Sequence, residues 1–129
     1  MAGIRGLVEL GLRANDLEPM VTFYRDVVGL DIYDSSPGLV FLRIAEAVEG
    51  HPQLLAIFDR SVDVGQERTT LDHFAFLIDV DDYDAHKTRL ESSGVEVFPK
   101  TFPAHRWRSL FFSDPEGNTV ELVSYDPSV

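Results

Sequence analysis

Apolar and polar positions alternate strictly near the start of the chain, in the segment GLVELGL. Val8, Leu10 and Leu12 fall on one side of this alternation, and Glu9 and Gly11 fall on the other. A period of two residues is typical of a half-buried β-strand. The segment is therefore predicted to be a strand that presents Glu9 on one face of a sheet.

A helix is predicted after this strand. Asn15 and Asp16 offer an N-cap, Pro19 suits the first turn, and Gly29 suits the C-terminal end. The apolar positions between these signals have the spacing of one helical face. They are Leu17, Met20, Val21, Tyr24, Val27 and Val28.

Three short apolar segments follow the helix and are predicted to be strands. The residues between them, SSPG and EGHP, have compositions that favour turns. The predicted strands are LDIY at 30–33, LVFLRI at 39–44 and QLLAIF at 53–58.

The second half of the chain repeats this order of elements. DHFAFLI alternates as a strand, DVDD begins a helix with a weaker apolar stripe at Val80, Tyr83 and Leu90, and Gly94 ends it. The segments VEVF, RSLFF and TVELVSY are then predicted to be strands, with the turn DPEGN before the last one.

The spacing between equivalent positions indicates an internal duplication. Glu9 and His73 are 64 positions apart, and the helix-ending residues Gly29 and Gly94 are 65 positions apart. A four-stranded unit cannot cover both faces of its own sheet, so the two units are expected to share one core. We therefore predict a single domain over residues 1–129, with modules at about 5–58 and 71–126 and a polar linker at 59–70.

Composition narrows the class of protein. With 129 residues, 44% hydrophobic and 26% charged, the chain has an ordinary composition for one globular domain. No apolar run approaches the roughly 20 residues that span a bilayer, and no secretory signal is visible, so we predict a cytoplasmic location. The net charge of −11 disfavours nucleic acid and anionic membranes as partners. Because the chain has no cysteine, any metal must be bound by His, carboxylates and water.

Three stretches carry a resemblance to a known family. They are ELGLRANDLEPMVTFYRDVVGL, DHFAFLIDVDDYDAHKTRLESSGVEV and SDPEGNTVELVSYDP, and together they cover most of the chain. Their pattern resembles the vicinal oxygen chelate superfamily of glyoxalases, bleomycin resistance proteins and extradiol dioxygenases. The resemblance implies an α+β fold of two tandem β-α-β-β-β modules, whose curved mixed sheets surround a cavity with the helices outside. It does not select one chemistry, because one fold serves many activities.

The resemblance also implies a metal site. In that superfamily the ligands project from the first strand of each module and from strands at the module ends. These positions carry Glu9, His73 and Glu121, with Ala56 or Ile57 at the fourth. A Glu where His is commoner, and an apolar fourth residue, depart from the usual pattern. Each of the three polar residues is also the polar member of an otherwise apolar strand, and a divalent cation would offset the cost of burying it.

Small neighbours indicate space above such a metal, since Gly11, Ala75 and Thr119 lie beside the predicted ligands. Two carboxylates and one imidazole would leave open positions on six-coordinate Fe(II), Mn(II), Ni(II) or Mg(II), where water and a chelating substrate could bind. Zn(II) is a less distinctive choice. The alternative is that both glutamates face solvent and that His73 is a hydrogen-bonded core histidine.

The most unusual local composition is FPAHRWRSLFF. A guanidinium there would favour an anionic substrate, and His105 could exchange protons near neutral pH. We therefore predict Glu121, His105 and Arg108 as catalytic residues. The alternative is that Arg106 and Arg108 pair with surface acids while Trp107 covers the edge of the core.

Four other side chains receive weaker predictions. Tyr125 shares the Glu121 side of its strand by alternation and is either a cavity hydroxyl or an end-of-strand aromatic. His51 and His86 are predicted to be solvated, and Tyr24 is predicted to lie in the core.

The leading hypothesis for function is a metal-dependent enzyme whose small-molecule substrate chelates the ion through two adjacent oxygens. The metal would act as a Lewis acid for a lyase or isomerase, or activate dioxygen for a dioxygenase. The alternative is a metal-free protein that binds a drug or metabolite, as bleomycin resistance members do. A third hypothesis is a transferase that opens an epoxide with a thiol. The resemblance further implies a homodimer, in which ligands from the first half of one chain face those from the second half of the other.

Overall fold

The structure, a computed structural model, divides the chain into two compact units, Met1–Glu67 and Arg68–Val129. The boundary falls within the predicted linker, most of which lies outside the described residues. Where the chain is described, no helix is long and apolar enough to cross a membrane. The described residues are 7–48, 51–60, 71 and 73–129.

The first unit contains a helical segment and one mixed four-stranded sheet. Its elements are β1 (Glu9–Ala14), α1 (Leu17–Thr22), a π-helical segment (Phe23–Val28), β2 (Asp31–Ser36), β3 (Leu39–Val48) and β4 (His51–Asp59). The strand order is β1-β4-β3-β2; β1 and β4 are parallel, and the other neighbours are antiparallel.

The second unit has the same plan. Its elements are β5 (His73–Leu77), a 3-10 turn (Val80–Asp82), α2 (Tyr83–Ser92), β6 (Phe98–Phe102), β7 (Trp107–Ser113) and β8 (Thr119–Tyr125). The strand order is β5-β8-β7-β6, again with one parallel pair, β5 and β8. The predicted pair of β-α-β-β-β modules with mixed sheets is confirmed.

The strand register aligns the two units residue by residue. Gly11 of β1 pairs with Ala56 of β4, and Ala75 of β5 pairs with Glu121 of β8. Gly11 and Ala75 are also equivalent along the duplication, 64 positions apart. Ala56 is therefore the first-unit counterpart of Glu121, which resolves the choice between Ala56 and Ile57.

Buried apolar side chains form the core of each unit and include most of the helix residues whose spacing predicted them; Leu17, Val27 and Val80 are only half-buried. Burying such a side chain contributes about 1.5–3 kcal/mol relative to leaving it exposed. In the first unit the fully buried large residues are Met20, Tyr24, Leu42, Leu55 and Ile57. In the second unit they include Leu90, Leu110, Phe112 and Val120.

The predicted single helix before Gly29 changes type half-way. Its second half is π-helical, and the backbone N–H of Gly29 donates to the carbonyl of Tyr24, five residues earlier, at 3.1 Å. A hydrogen bond that spans five residues, instead of the four of an α-helix, widens the last turn. Gly29 ends the segment as predicted and has φ 98°, a left-handed conformation that favours glycine.

The strand predicted at VEVF begins later than expected, since β6 starts at Phe98. The Val95 N–H donates to the Leu90 carbonyl and the Gly94 N–H donates to the Glu91 carbonyl, at 3.1 and 3.0 Å. This pair of bonds closes the end of α2 as a Schellman motif. Val95 is consequently tied to the helix rather than paired in the sheet.

Candidate metal site

Strand pairing in the second unit brings three side chains to one face of its sheet. Ala75 of β5 pairs with Glu121 of β8, and Glu121 pairs with Phe111 of β7. His73 lies two residues before Ala75, so it projects to the same side. His73, Phe111 and Glu121 therefore lie on one face, which we call the ligand face.

His73 and Glu121 meet on this face. The His73 Nε2 atom lies 3.2 Å from Glu121 Oε1, and their side chains are 38% and 8% exposed. The Phe111 ring meets the His73 ring edge-on, with centroids 5.9 Å apart. Glu121 thus does not face solvent, whereas His73 is partly open to it. A carboxylate and an imidazole at this separation can share a proton or a cation.

The second oxygen of Glu121 has its own partner. Ser109 Oγ donates to Glu121 Oε2 at 2.7 Å, and Ser109 is completely buried. The backbone carbonyl of Ser109 accepts a hydrogen bond from the Tyr83 hydroxyl of α2 at 3.1 Å. The two carboxylate oxygens are therefore distinguished, because one faces His73 and the other is occupied by Ser109.

The donor pair suits a divalent cation. Two ligand atoms about 2.1 Å from one ion and at right angles to each other lie about 3 Å apart. The Nε2–Oε1 distance of 3.2 Å is close to that value. Imidazole nitrogen together with carboxylate oxygen suits Mn, Fe, Ni or Zn. His73 and Glu121 could bind such an ion with little movement.

Glu9, the remaining predicted ligand, is the first residue of β1 in the other unit and is exposed. It pairs with Leu54, while its neighbour on the same face, Gly11, pairs with Ala56. Glu9 therefore has the position in the first unit that His73 has in the second. Within either unit, the described residues bring no three His, Asp or Glu side chains close enough to hold a metal ion.

Arg108 does not join the ligand face. It pairs with Ser124, which alternates with Glu121 along β8, so the two side chains point to opposite sides of the sheet. The Arg108 guanidinium lies 4.2 Å from the centre of the Tyr83 ring and 3.6 Å from Asp126 Oδ2. Such an arrangement is a cation–π contact with an ion pair on the helix side of the sheet.

Asp126 accepts two hydrogen bonds from Ser128. Its Oδ1 accepts hydrogen bonds from Ser128 Oγ at 2.6 Å and from the Ser128 N–H at 2.9 Å. These two bonds, and then the nearby Arg108, hold the pKa of Asp126 below its usual value of 3.8.

His105 lies in the turn between β6 and β7 and is exposed. Its ring stacks on the Trp107 ring, with centroids 4.6 Å apart and planes at 27°. Trp107 pairs with Tyr125, which lies on the ligand face four residues beyond Glu121 and is 58% exposed. Four strand residues span about 13 Å, so this aromatic group is distant from the His73–Glu121 pair.

The other histidines and Tyr24 have simpler positions. His86 is half-buried, and its Nδ1 is 2.7 Å from Arg89 Nη2. Burial, and then the Arg89 charge, lower the pKa of His86. Tyr24 is fully buried, as predicted for a core residue. The backbone of His51 lies in β4, and its side chain is outside the described part.

Comparison with known proteins identifies the family. The model of the Glyoxalase/Bleomycin resistance protein/Dioxygenase superfamily matches residues 6–122. The chain belongs to this superfamily. The resemblance drawn from the strand and helix motifs is thereby confirmed.

Three proteins illustrate which members of the superfamily this chain is similar to. The glutathione transferase FosA of Serratia marcescens is 25% identical over 92% of this chain and 80% of the relative. The crystal structure of a lactoylglutathione lyase from Agrobacterium tumefaciens has a TM-score of 0.75 and 30% identity, covering 95% of this chain and 96% of that one. A variant of the fosfomycin resistance protein FosX from Listeria monocytogenes, complexed with Mn(II) and 1S,2S-dihydroxypropylphosphonic acid, has a TM-score of 0.70 and 27% identity, covering 93% and 90%.

Ser109 also belongs to the site. Its contact with Glu121 was not predicted from the sequence. A signal was available, because Ser109 is a polar residue in the apolar strand RSLFF, just as Glu121 is in TVELV. Pairing the two required the register of β7 against β8, which aligns Ser109 with Val123 and leaves Glu121 diagonally adjacent.

Proposed function

We propose that this protein is a metal-dependent enzyme in which His73 and Glu121 bind a divalent cation; Glu9 is the further ligand that the family resemblance implies. The observation that carries the proposal is the 3.2 Å approach of His73 Nε2 to Glu121 Oε1 on a sheet face where Glu121 is almost fully buried. A buried carboxylate beside an imidazole is costly without a compensating charge. The metal in the FosX complex supports the same class of cofactor.

The chemistry we propose is Lewis-acid catalysis. A bound divalent cation supplies stabilisation of negative charge on two adjacent oxygens of a small substrate. Glu9, His73 and Glu121 include one imidazole, whereas the facial triad of non-haem Fe(II) oxygenases has two His and one carboxylate. The transferase and lyase names of two relatives support this choice over dioxygen activation.

The chain contributes the arrangement of the ligands. His73 is the first residue of β5, and Glu121 lies in the middle of β8. The two strands are parallel neighbours, so the hydrogen bonds between them fix the separation of these residues. The Phe111 ring packs against the His73 ring, with centroids 5.9 Å apart, and so supports the orientation of the imidazole. A preorganised ligand pair does not have to be reorganised when a substrate binds.

A metal-free binding protein is the second candidate. It is favoured by the observation that, within the described part of each unit, no third ligand joins His73 and Glu121. In that case the 3.2 Å contact would be an ion pair or hydrogen bond that orders the sheet face.

Isothermal titration of Mn(II) into protein freed of metal by a chelator separates the two candidates. We expect saturable binding to the wild-type chain, and Glu121→Gln and His73→Ala should each weaken it by about a hundredfold or more, because they remove direct ligands. Glu9→Gln tests the ligand that the family resemblance implies in the first unit, and weaker Mn(II) binding by this variant would support its role.

Two substitutions on α2 are matched controls. Glu91→Gln removes a carboxylate that pairs with Lys87 on α2, and His86→Ala removes a histidine on the same helix. Both should bind Mn(II) as the wild type does. If the wild-type chain takes up neither Mn(II), Ni(II) nor Zn(II), the enzyme proposal fails and the binding-protein candidate stands.

Fosfomycin with glutathione or water is the first substrate to test, by phosphorus NMR.

A further inference from the structure

We propose that Ser109 is a positioning residue that restricts Glu121 to metal ligation through a single oxygen. This inference rests on the proposed function. Its basis is the hydrogen bond from Ser109 Oγ to Glu121 Oε2, which leaves only Oε1 directed at His73. Ser109 would not touch the substrate or the ion itself.

The Ser109 hydroxyl has little freedom to do anything else. The residue is completely buried in β7, between Lys100 of β6 and Val123 of β8. Its backbone is further held by the Tyr83 hydroxyl, which donates to the Ser109 carbonyl from α2. A buried hydroxyl without a partner costs free energy. The hydroxyl is therefore oriented by the fold before any metal arrives.

This orientation opposes ligation through both oxygens. For Glu121 to bind an ion bidentately, Oε2 would have to turn toward the ion and leave the Ser109 hydroxyl unpaired in the core. Keeping Glu121 monodentate leaves one more coordination position open. A substrate with two adjacent oxygens needs two such positions, so Ser109 would help to reserve the space for chelation.

Ser124 provides a matched control. It is also completely buried, and its hydroxyl also donates to a single acceptor, the Arg108 carbonyl at 2.8 Å. It lies on β8 three residues after Glu121 but on the opposite face of the sheet. Ser109→Ala and Ser124→Ala thus remove the same group from equally buried strand positions, and only the first touches Glu121.

The experiment compares Mn(II) affinity, the visible spectrum of the Co(II)-loaded protein, and the metal-free unfolding midpoint. We expect Ser109→Ala to change the Co(II) spectrum, which reports coordination number, because Glu121 is then free to bind through both oxygens. It should also bind Mn(II) about ten- to a hundredfold more weakly, because Glu121 is no longer oriented before the ion binds. Ser124→Ala should match the wild type in both metal measurements. Ser109→Thr keeps the hydroxyl and should restore wild-type affinity.

The outcomes separate this inference from the function on which it rests. If the wild-type chain binds no Mn(II), the proposed metal site itself fails. If the wild type binds Mn(II), and Ser109→Ala keeps the wild-type affinity and Co(II) spectrum, the positioning role is overturned while the site survives. Equal losses in Ser109→Ala and Ser124→Ala would likewise overturn it, because they would reflect the loss of a buried hydroxyl in general.

Discussion

The two units of this protein share a topology but not a chemistry. At the register position of Glu121 in β8, the first unit has Ala56 in β4. At the position of Ser109 in β7, it has Leu39 in β3. The hydrogen-bonded polar pair of the second unit is thus an apolar pair in the first. Both units keep a phenylalanine on the strand beside this position, Phe41 and Phe111.

The difference shows which part of a duplicated sheet can change. Most positions that face the helix are apolar and buried in both units, as in the equivalent pair Ile57 and Leu122. Core packing restricts these positions, since a change of even one methylene is felt in a close-packed interior. Residues on the other face do not pack against the helix, so a polar pair such as Ser109 and Glu121 can arise there in one unit alone.

The largest expected effect comes from placing the chemistry of the second unit in the first. Ala56 is completely buried, so Ala56→Glu should lower the free energy of unfolding by about 3–5 kcal/mol through an uncompensated buried charge. Adding Leu39→Ser supplies the hydroxyl that Ser109 supplies to Glu121. Urea unfolding of the single and double variants should give a favourable coupling of about 1 kcal/mol.

An exposed alanine controls for the charge itself. Ala85 lies on the exposed side of α2, so Ala85→Glu should change stability by no more than about 0.5 kcal/mol. An equally small effect of Ala56→Glu would contradict the expectation that a carboxylate at this buried position lowers the free energy of unfolding.

An intermediate effect is expected where the two units are alike. Gly29 and Gly94 end the helical segments with φ 98° and 81°, and a Cβ added at either would meet no atom within 4 Å. Gly29→Ala and Gly94→Ala should each cost about 1–2 kcal/mol, because the left-handed conformation disfavours a side chain. Gly11→Ala is the control, since its Cβ would make an ordinary 3.5 Å contact with Phe58. Thermal unfolding that ranked Gly11→Ala with the other two would contradict the conformational explanation.

The smallest effect concerns the end of the second unit and depends on pH. Ser128 is the main cause of the lowered pKa of Asp126. A carboxyl with a lower pKa in the folded state stabilises the fold above its unfolded-state pKa, and this contribution is lost as the pH falls through the folded-state value. Ser128→Ala should therefore destabilise the protein at neutral pH, and the difference from wild type should shrink below about pH 4.

Urea unfolding at several pH values measures this change. Ser93→Ala is the control, because the Ser93 hydroxyl donates to the Arg89 carbonyl and involves no carboxylate. Its effect should not vary with pH. A Ser128→Ala difference that stayed constant down to pH 3 would rule out the titration of Asp126 as its origin.

Much of the fold could be predicted from periodicity and turn residues. The strand TVELVSY was predicted with its observed bounds, and Gly29 and Gly94 end their helical segments as expected. The start of β6 was missed, because the bond from the Val95 N–H to the Leu90 carbonyl ties that residue to the end of α2. Such a capping bond depends on backbone geometry and leaves no trace in an apolar run.

For this protein, the sequence by itself determined the duplicated architecture, the family and the polar residues that stand out from apolar strands. It could do so because hydrophobic period and turn composition are local properties. Only the tertiary structure decided that Glu121 meets His73 and Ser109, and that Arg108 turns toward Tyr83 instead. Those outcomes depend on register and on the pairing of distant strands, where a shift of one residue sends a side chain to the opposite face.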